Sequence, residues 1–154
     1  MKVQTVELKD LEFVTVNGEY QQRFINEKTY PAFLTNAAMK RGFDTGLIES
    51  SLWEDLIKIK GLESVVKSSD EKSALQAMNA LDEQKMIAIV YLAVIGANKK
   101  LTISYDEFLE RYHYSFDKTL QLYANLLTNM MSSNPNEFSG KLKNATKKNK
   151  KKHQ

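Results

Sequence analysis

Ten consecutive apolar residues, Met86 to Ile95 (MIAIVYLAVI), constrain the fold of this chain more than any other feature. A membrane-crossing helix needs roughly 20 such residues, so a run half that length is expected to be a helix buried on all sides. The chain has 154 residues, of which 42% are apolar and 27% charged, enough for one domain with a real core around that helix. A soluble protein with no membrane segment is expected. The N-terminus, MKVQTVELKD, carries Lys2, Glu7, Lys9 and Asp10 and no apolar run, so it does not read as a secretory signal.

Ahead of the apolar run, Leu11 to Val16, Asn17-Gly18 and Glu19 to Ile25 read as a β-hairpin. Asn-Gly supplies the positive φ angles that a two-residue type I′ turn demands. The turn sets the register: Val16 opposite Glu19, Thr15 opposite Tyr20, Phe13 opposite Gln22 and Leu11 opposite Phe24. One face then carries Leu11, Phe13, Tyr20 and Phe24, and the other pairs Glu12 with Arg23. An isolated hairpin is marginal in water, so the apolar face is expected to pack on helices or on another subunit.

The rest of the pattern is helical. Pro31 suits a first helical turn and Gly42 a C-terminal stop, which predicts a helix near 31–41. Three Ser-x-x-Glu capping boxes follow, Ser51 with Glu54, Ser68 with Glu71 and Ser104 with Glu107, each ahead of apolar residues at helical spacing. Gly61, after Lys58 and Lys60, has the chemistry of a helix C-cap. Helices are expected near 50–60, 70–80, 83–97, 105–112 and 116–132. The last is amphipathic, with Phe116, Leu120, Tyr123, Leu127 and Met130 in one stripe, widened by Leu126 and Met131. From Ser139 onward lysine, asparagine and serine leave little to bury, which predicts a disordered tail over 135–154. The expected fold is thus mainly α. A hairpin at about 11–25 and a compact bundle of five to six helices over 31–132 form a single folded domain, residues 1–134, followed by a disordered basic tail.

The net charge of +3 divides unevenly along the chain. Residues 139–154 hold seven lysines and no acid, which leaves 15 basic against 19 acidic residues in 1–138, a net of −4. The tail could attract phosphates nonspecifically. It lacks interleaved aromatics and arginines, however, and follows an acidic body, so it reads better as a solubilising end. A nucleic acid is not an expected partner.

Chemistry has little to work with. Cysteine is absent, which excludes disulfides and thiolate chemistry and fits a reducing cytoplasm. Of the two histidines, His153 lies among the tail lysines, and His113, between Tyr112 and Tyr114, reads as a half-buried connector residue. Asp106, Glu107 and Glu110 sit where a helix start favours negative charge, so capping explains them better than acid–base work. No phosphate loop, nucleophile elbow or metal-spaced histidine pair occurs. An enzyme is not expected, and no catalytic residue, cofactor or metal site is assigned.

The order of features resembles the tail assembly chaperones of long-tailed bacteriophages of Gram-positive hosts. The hairpin around VTVNGEYQQRF precedes a helical segment, LWEDLIKIKGLESVV. The apolar helix KMIAIVYLAVIGAN, the connector KKLTISYDEFLERY and the amphipathic helix LQLYANLLTNMM come next. The resemblance spans roughly residues 10–132. It implies a non-enzymatic protein in the host cytoplasm that coats the tape-measure protein, the helical ruler of the tail, before tail-tube subunits polymerise around it. It also implies self-association into a homo-oligomer, with the tail-tube protein as a further partner. Leu120, Tyr123, Leu127, Met130 and Met131 of the last helix are then the expected contact residues, with methionine giving an adaptable surface. A small nucleic-acid-binding protein using its basic tail, or a helical adaptor, are the competing readings.

Overall fold

The structure, a computed structural model, describes residues 3–49, 52–67 and 81–132. Two long antiparallel strands come first, β1 (Gln4–Val16) and β2 (Glu19–Ala32), forming a two-stranded sheet. Five helices follow among the described residues: α1 (Asn36–Asp44), α2 (Leu52–Lys67), α3 (Glu83–Ala97), α4 (Tyr105–Arg111) and α5 (Phe116–Ser132). The helix expected at 70–80, the serines of two capping boxes (Ser51 and Ser68) and the lysine-rich tail lie outside the described residues.

This architecture overturns the expectation of a mainly α fold. The strands have 13 and 14 residues, so the hairpin is a principal element and the chain is α+β. The turn and its register are as the Asn17-Gly18 chemistry demands, with φ at +51° and +79° and Thr15 opposite Tyr20. Sequence alternation missed the strand ends because the apolar side of the hairpin changes faces. At the base Val6 and Leu8 of β1 and Tyr30 and Ala32 of β2 are buried together on one face. Further out, Leu11 and Phe13 point to the other.

A bulge makes this switch. Leu8 pairs with Lys28 and Asp10 with Ile25, so β2 holds one residue more than β1 between those pairs. Asn26 takes the left-handed conformation there (φ +55°) and donates through Nδ2 to Asp10 at 3.0 Å. The added residue shifts the side-chain parity of β2, placing Phe24 on the face opposite that of Tyr30. Pro31 is likewise a strand residue, opposite Thr5, and not the start of a helix. An edge strand tolerates proline because no ladder hydrogen bond is asked of it. The helix begins five residues later, where Thr35 Oγ1 accepts from the Ala38 N–H at 3.1 Å as N-cap.

α3 is the axis of the core, as its sequence predicts: all of Met86 to Ile95 is buried except Ile87, which is half-buried. Asp82 caps its start by accepting from the Gln84 N–H at 3.0 Å. α1, α5 and the end of β2 pack around it. Two bonds tie β2 to the far end of α3: Phe33 N–H to Ala93 O at 3.1 Å, and Asn98 Nδ2 to Pro31 O at 2.9 Å. Two glycines differ in role from expectation. Gly42 lies inside α1, where a Cβ would stand 2.5 Å from Leu92 Cδ1, so its hydrogen lets α1 approach α3. Gly61 lies inside α2 and caps nothing.

Candidate interaction surface

The hairpin extends beyond the body, and among the described residues its outer half carries four of the seven exposed large apolar side chains, Leu11, Phe13, Val16 and Tyr20. The inner half is fastened along the free edge of β1 by the Tyr112-His113-Tyr114 connector. Glu7 N–H donates to Tyr114 Oη at 2.8 Å, and His113 Nε2 contacts Lys9 O at 3.0 Å, which requires the ring proton to sit on Nε2. These side chains take the place of a third strand and satisfy an edge that would otherwise invite another chain. His113 also packs on Phe24, with ring centroids 5.1 Å apart, and Lys9 Nζ lies 4.2 Å from the centroid of the same ring.

The connector is itself anchored by a row of aromatic rings. Tyr91 of α3 meets Phe108 of α4 at 5.4 Å, Phe108 stacks on Tyr112 at 5.3 Å, and Tyr112 meets Tyr114 at 5.1 Å. Tyr112 Oη shares a proton with buried Thr119 at 2.8 Å, and Tyr91 Oη donates to Ile103 O at 2.8 Å. Burial drives the Tyr112 phenol up to about 12, because ionisation there would strand a charge in hydrocarbon. The hairpin base is therefore held rigidly, which fixes the direction of the tip.

Beyond Lys9 that support ends. From base to turn the same face carries Phe24 and Leu11, then Phe13, then Tyr20. Phe24 is half-buried against His113, Leu11 is exposed, Phe13 is 66% exposed and Tyr20 84% exposed. On the opposite face Arg23 Nη2 pairs with Glu12 at 2.7 Å, and Val16 near the turn is exposed. The hairpin therefore does not bury its tip against the helices, one of the two placements its apolar face led one to expect, the other being a second subunit; Phe24 alone of that set reaches the body. The sequence places these four residues on one face, to be covered by helices or by another subunit, but does not put them among the expected contact residues.

The residues it did single out sit elsewhere. Tyr123 and Leu127 are fully buried in the core and present nothing to a partner. Leu120, Met130 and Met131 are half-buried at the rim of the same cluster. The amphipathic pattern of α5 was real, but it faces α3. His113 stands in the connector, half-buried, with a structural task. Asp106 and Glu107 occupy the first turn of α4, where Ser104 Oγ accepts from the Glu107 N–H at 3.1 Å, as the third capping box predicts. Among the described residues, no three His, Asp or Glu side chains stand together to hold a metal ion. No helix among them is long and apolar enough to cross a membrane.

Comparison with protein-family profiles, curated sequences and solved structures finds no match.

Proposed function

We propose that this protein is a non-catalytic binding protein, a phage tail assembly chaperone that keeps the tape-measure protein soluble in the host cytoplasm until tail-tube subunits enclose it. The observation that supports this reading most is the hairpin tip, where Leu11, Phe13 and Tyr20 line one exposed face on a rigidly held stem. Exposed apolar side chains concentrated on one projecting element mark an interaction site. Large aromatics are the side chains that carry most binding energy in such sites.

A long helical ruler offers repeated apolar stripes, and an unsheathed one aggregates. Many copies of a weak binder, each laying a strip of apolar side chains on a stripe, would cover it without making removal costly. Homo-oligomerisation along the ruler belongs to the same reading. On the helical side of the molecule Leu120, Met130 and Met131 are half-buried at the rim of the core, where a second contact would reach them, whereas Tyr123 and Leu127 are fully buried. Co-expression with the tape-measure protein of its own phage tests the proposal. The ruler is expected in the soluble fraction with this chain bound, and its remaining insoluble at equal expression would refute the reading.

A further inference from the structure

Among its described side chains, α2 meets the body through one stripe, Leu52, Asp55 and Ile59, three and four residues apart. The outer two are apolar. The middle one is a carboxylate that is only 6% exposed. A charge in such a place is tolerated only with close partners. Asp55 Oδ2 has two, from two different helices: Tyr123 Oη of α5 donates at 2.6 Å, and Lys85 Nζ of α3 stands at 3.1 Å. Lys85 is itself nearly buried. Burial, and then the bond to Asp55, raise the Tyr123 phenol far above its ordinary value, so it stays a donor throughout the neutral range.

This polar junction differs from the way the other helices are held. α3 is locked by hydrocarbon over most of its surface. α2 turns Glu54, Lys58 and Lys60 to solvent, exposes Ile57 by 70%, and carries Gly61 in its interior. The described side chains of α2 set only two apolar anchors, Leu52 and Ile59, around a buried charge, and a helix held in that way with a glycine in its interior opens at lower free energy than the core it covers. A buried carboxylate also gains from opening in a way that leucine does not, since water resolvates it.

We propose that α2 is a detachable cover, which leaves α3 and α5 as a unit while they stay folded, and that the Asp55–Tyr123–Lys85 clasp sets how often it does so. Opening would free the Tyr123 end of the α5 stripe, which the closed protein hides. A role for that stripe in partner binding rests on the function proposed above; the opening does not, and is read from the free protein.

Native-state hydrogen exchange on the full chain, followed across low concentrations of denaturant, tests it. In the unmodified protein the α2 amides are expected to share one opening free energy below that of α3, with a much shallower denaturant slope. Tyr123→Phe removes one hydrogen bond to a charged group, so α2 exchange should quicken ten- to a hundredfold. Lys85→Met gives a second measure of the clasp should Tyr123→Phe not fold. Exchange of α2 and α3 amides with one free energy and one slope would overturn the cover. Unchanged α2 exchange in the folded variants would overturn the clasp.

Discussion

Tyr114 Oη accepts the Glu7 N–H at 2.8 Å, closing the free edge of β1 with a side chain 107 residues away in sequence. The bond joins the hairpin base to the α4–α5 connector at a place where no further strand among the described residues pairs with the backbone. Tyr114→Phe keeps the ring, its contact with Tyr112 and the Lys118 ammonium 4.3 Å from its centroid, and removes only the acceptor. The expected cost is about 1 kcal/mol, a fall in Tm of about 2–4 °C for a chain of this size, with faster exchange of the Glu7 amide. If Tm and that amide are both unmoved, water satisfies the edge as well as tyrosine does.

Gly42 and Gly61 should respond in opposite directions to the same substitution. A Cβ on Gly42 would lie 2.5 Å from Leu92 Cδ1 and 2.6 Å from Ile48 Cδ1, inside any allowed contact. Those atoms are side-chain ends and can move, but both residues are fully buried, so Gly42→Ala is expected to destabilise by about 1–3 kcal/mol. Chemical denaturation would read this directly, and a neutral result would mean that α1 slides along α3 without cost.

A Cβ on Gly61 meets nothing within 4 Å. Alanine there gains helix propensity without a clash, so Gly61→Ala should stabilise by about 0.5–1 kcal/mol. Loss of stability in that variant would show that the position is not an ordinary exposed helical one.

These glycines mark the limit of what the sequence discloses. A glycine after basic residues has the same local signature whether it stops a helix or admits a neighbour, and only the partner element distinguishes the two. The apolar run of α3 and the Asn-Gly turn were legible because each depends on residues adjacent in the chain. The strand ends were not, since the bulge at Asn26 reverses side-chain parity and hides the alternation that joins Phe24 to Tyr30. Nor was the site. The α5 stripe looked like a surface because it is amphipathic, yet the same pattern arises when a helix lies on a core. Asp55 and Tyr123 are 68 residues apart, and no pattern in either segment foretells their bond.

Alkaline pH should unfold the protein through its buried phenols. Of seven tyrosines, Tyr91, Tyr105, Tyr112 and Tyr123 are all raised from 10.0, each chiefly by burial, with Tyr112 at about 12. A phenol raised in the folded state keeps its proton where the unfolded chain has lost it. The stabilisation is complete below pH 10 and disappears as pH rises toward and through 12. Tyrosinate absorbance should therefore climb late and together with loss of helical circular dichroism. Four phenols ionising while the helical signal persists would contradict their placement.

The hairpin tip separates binding from stability, because its side chains are exposed in the folded chain. Phe13 and Tyr20 touch little that folding needs, and Asn17-Gly18 fixes the turn without them. Phe13→Ser with Tyr20→Ser should leave stability within about 0.5 kcal/mol per site, apart from a small loss of β propensity. Binding should suffer far more. Two aromatic anchors removed from one face are expected to weaken association with the partner at least a hundredfold, since single anchors of this kind commonly carry 2 kcal/mol or more. Leu127→Ala inverts the result: it opens a cavity in the core, costs about 2–5 kcal/mol, and should spare binding in whatever fraction stays folded. Pull-down of the partner by both variants, with thermal melts of each, discriminates the two surfaces. Retained binding by the double-serine chain would remove the hairpin from the interface and return attention to the rim of α5.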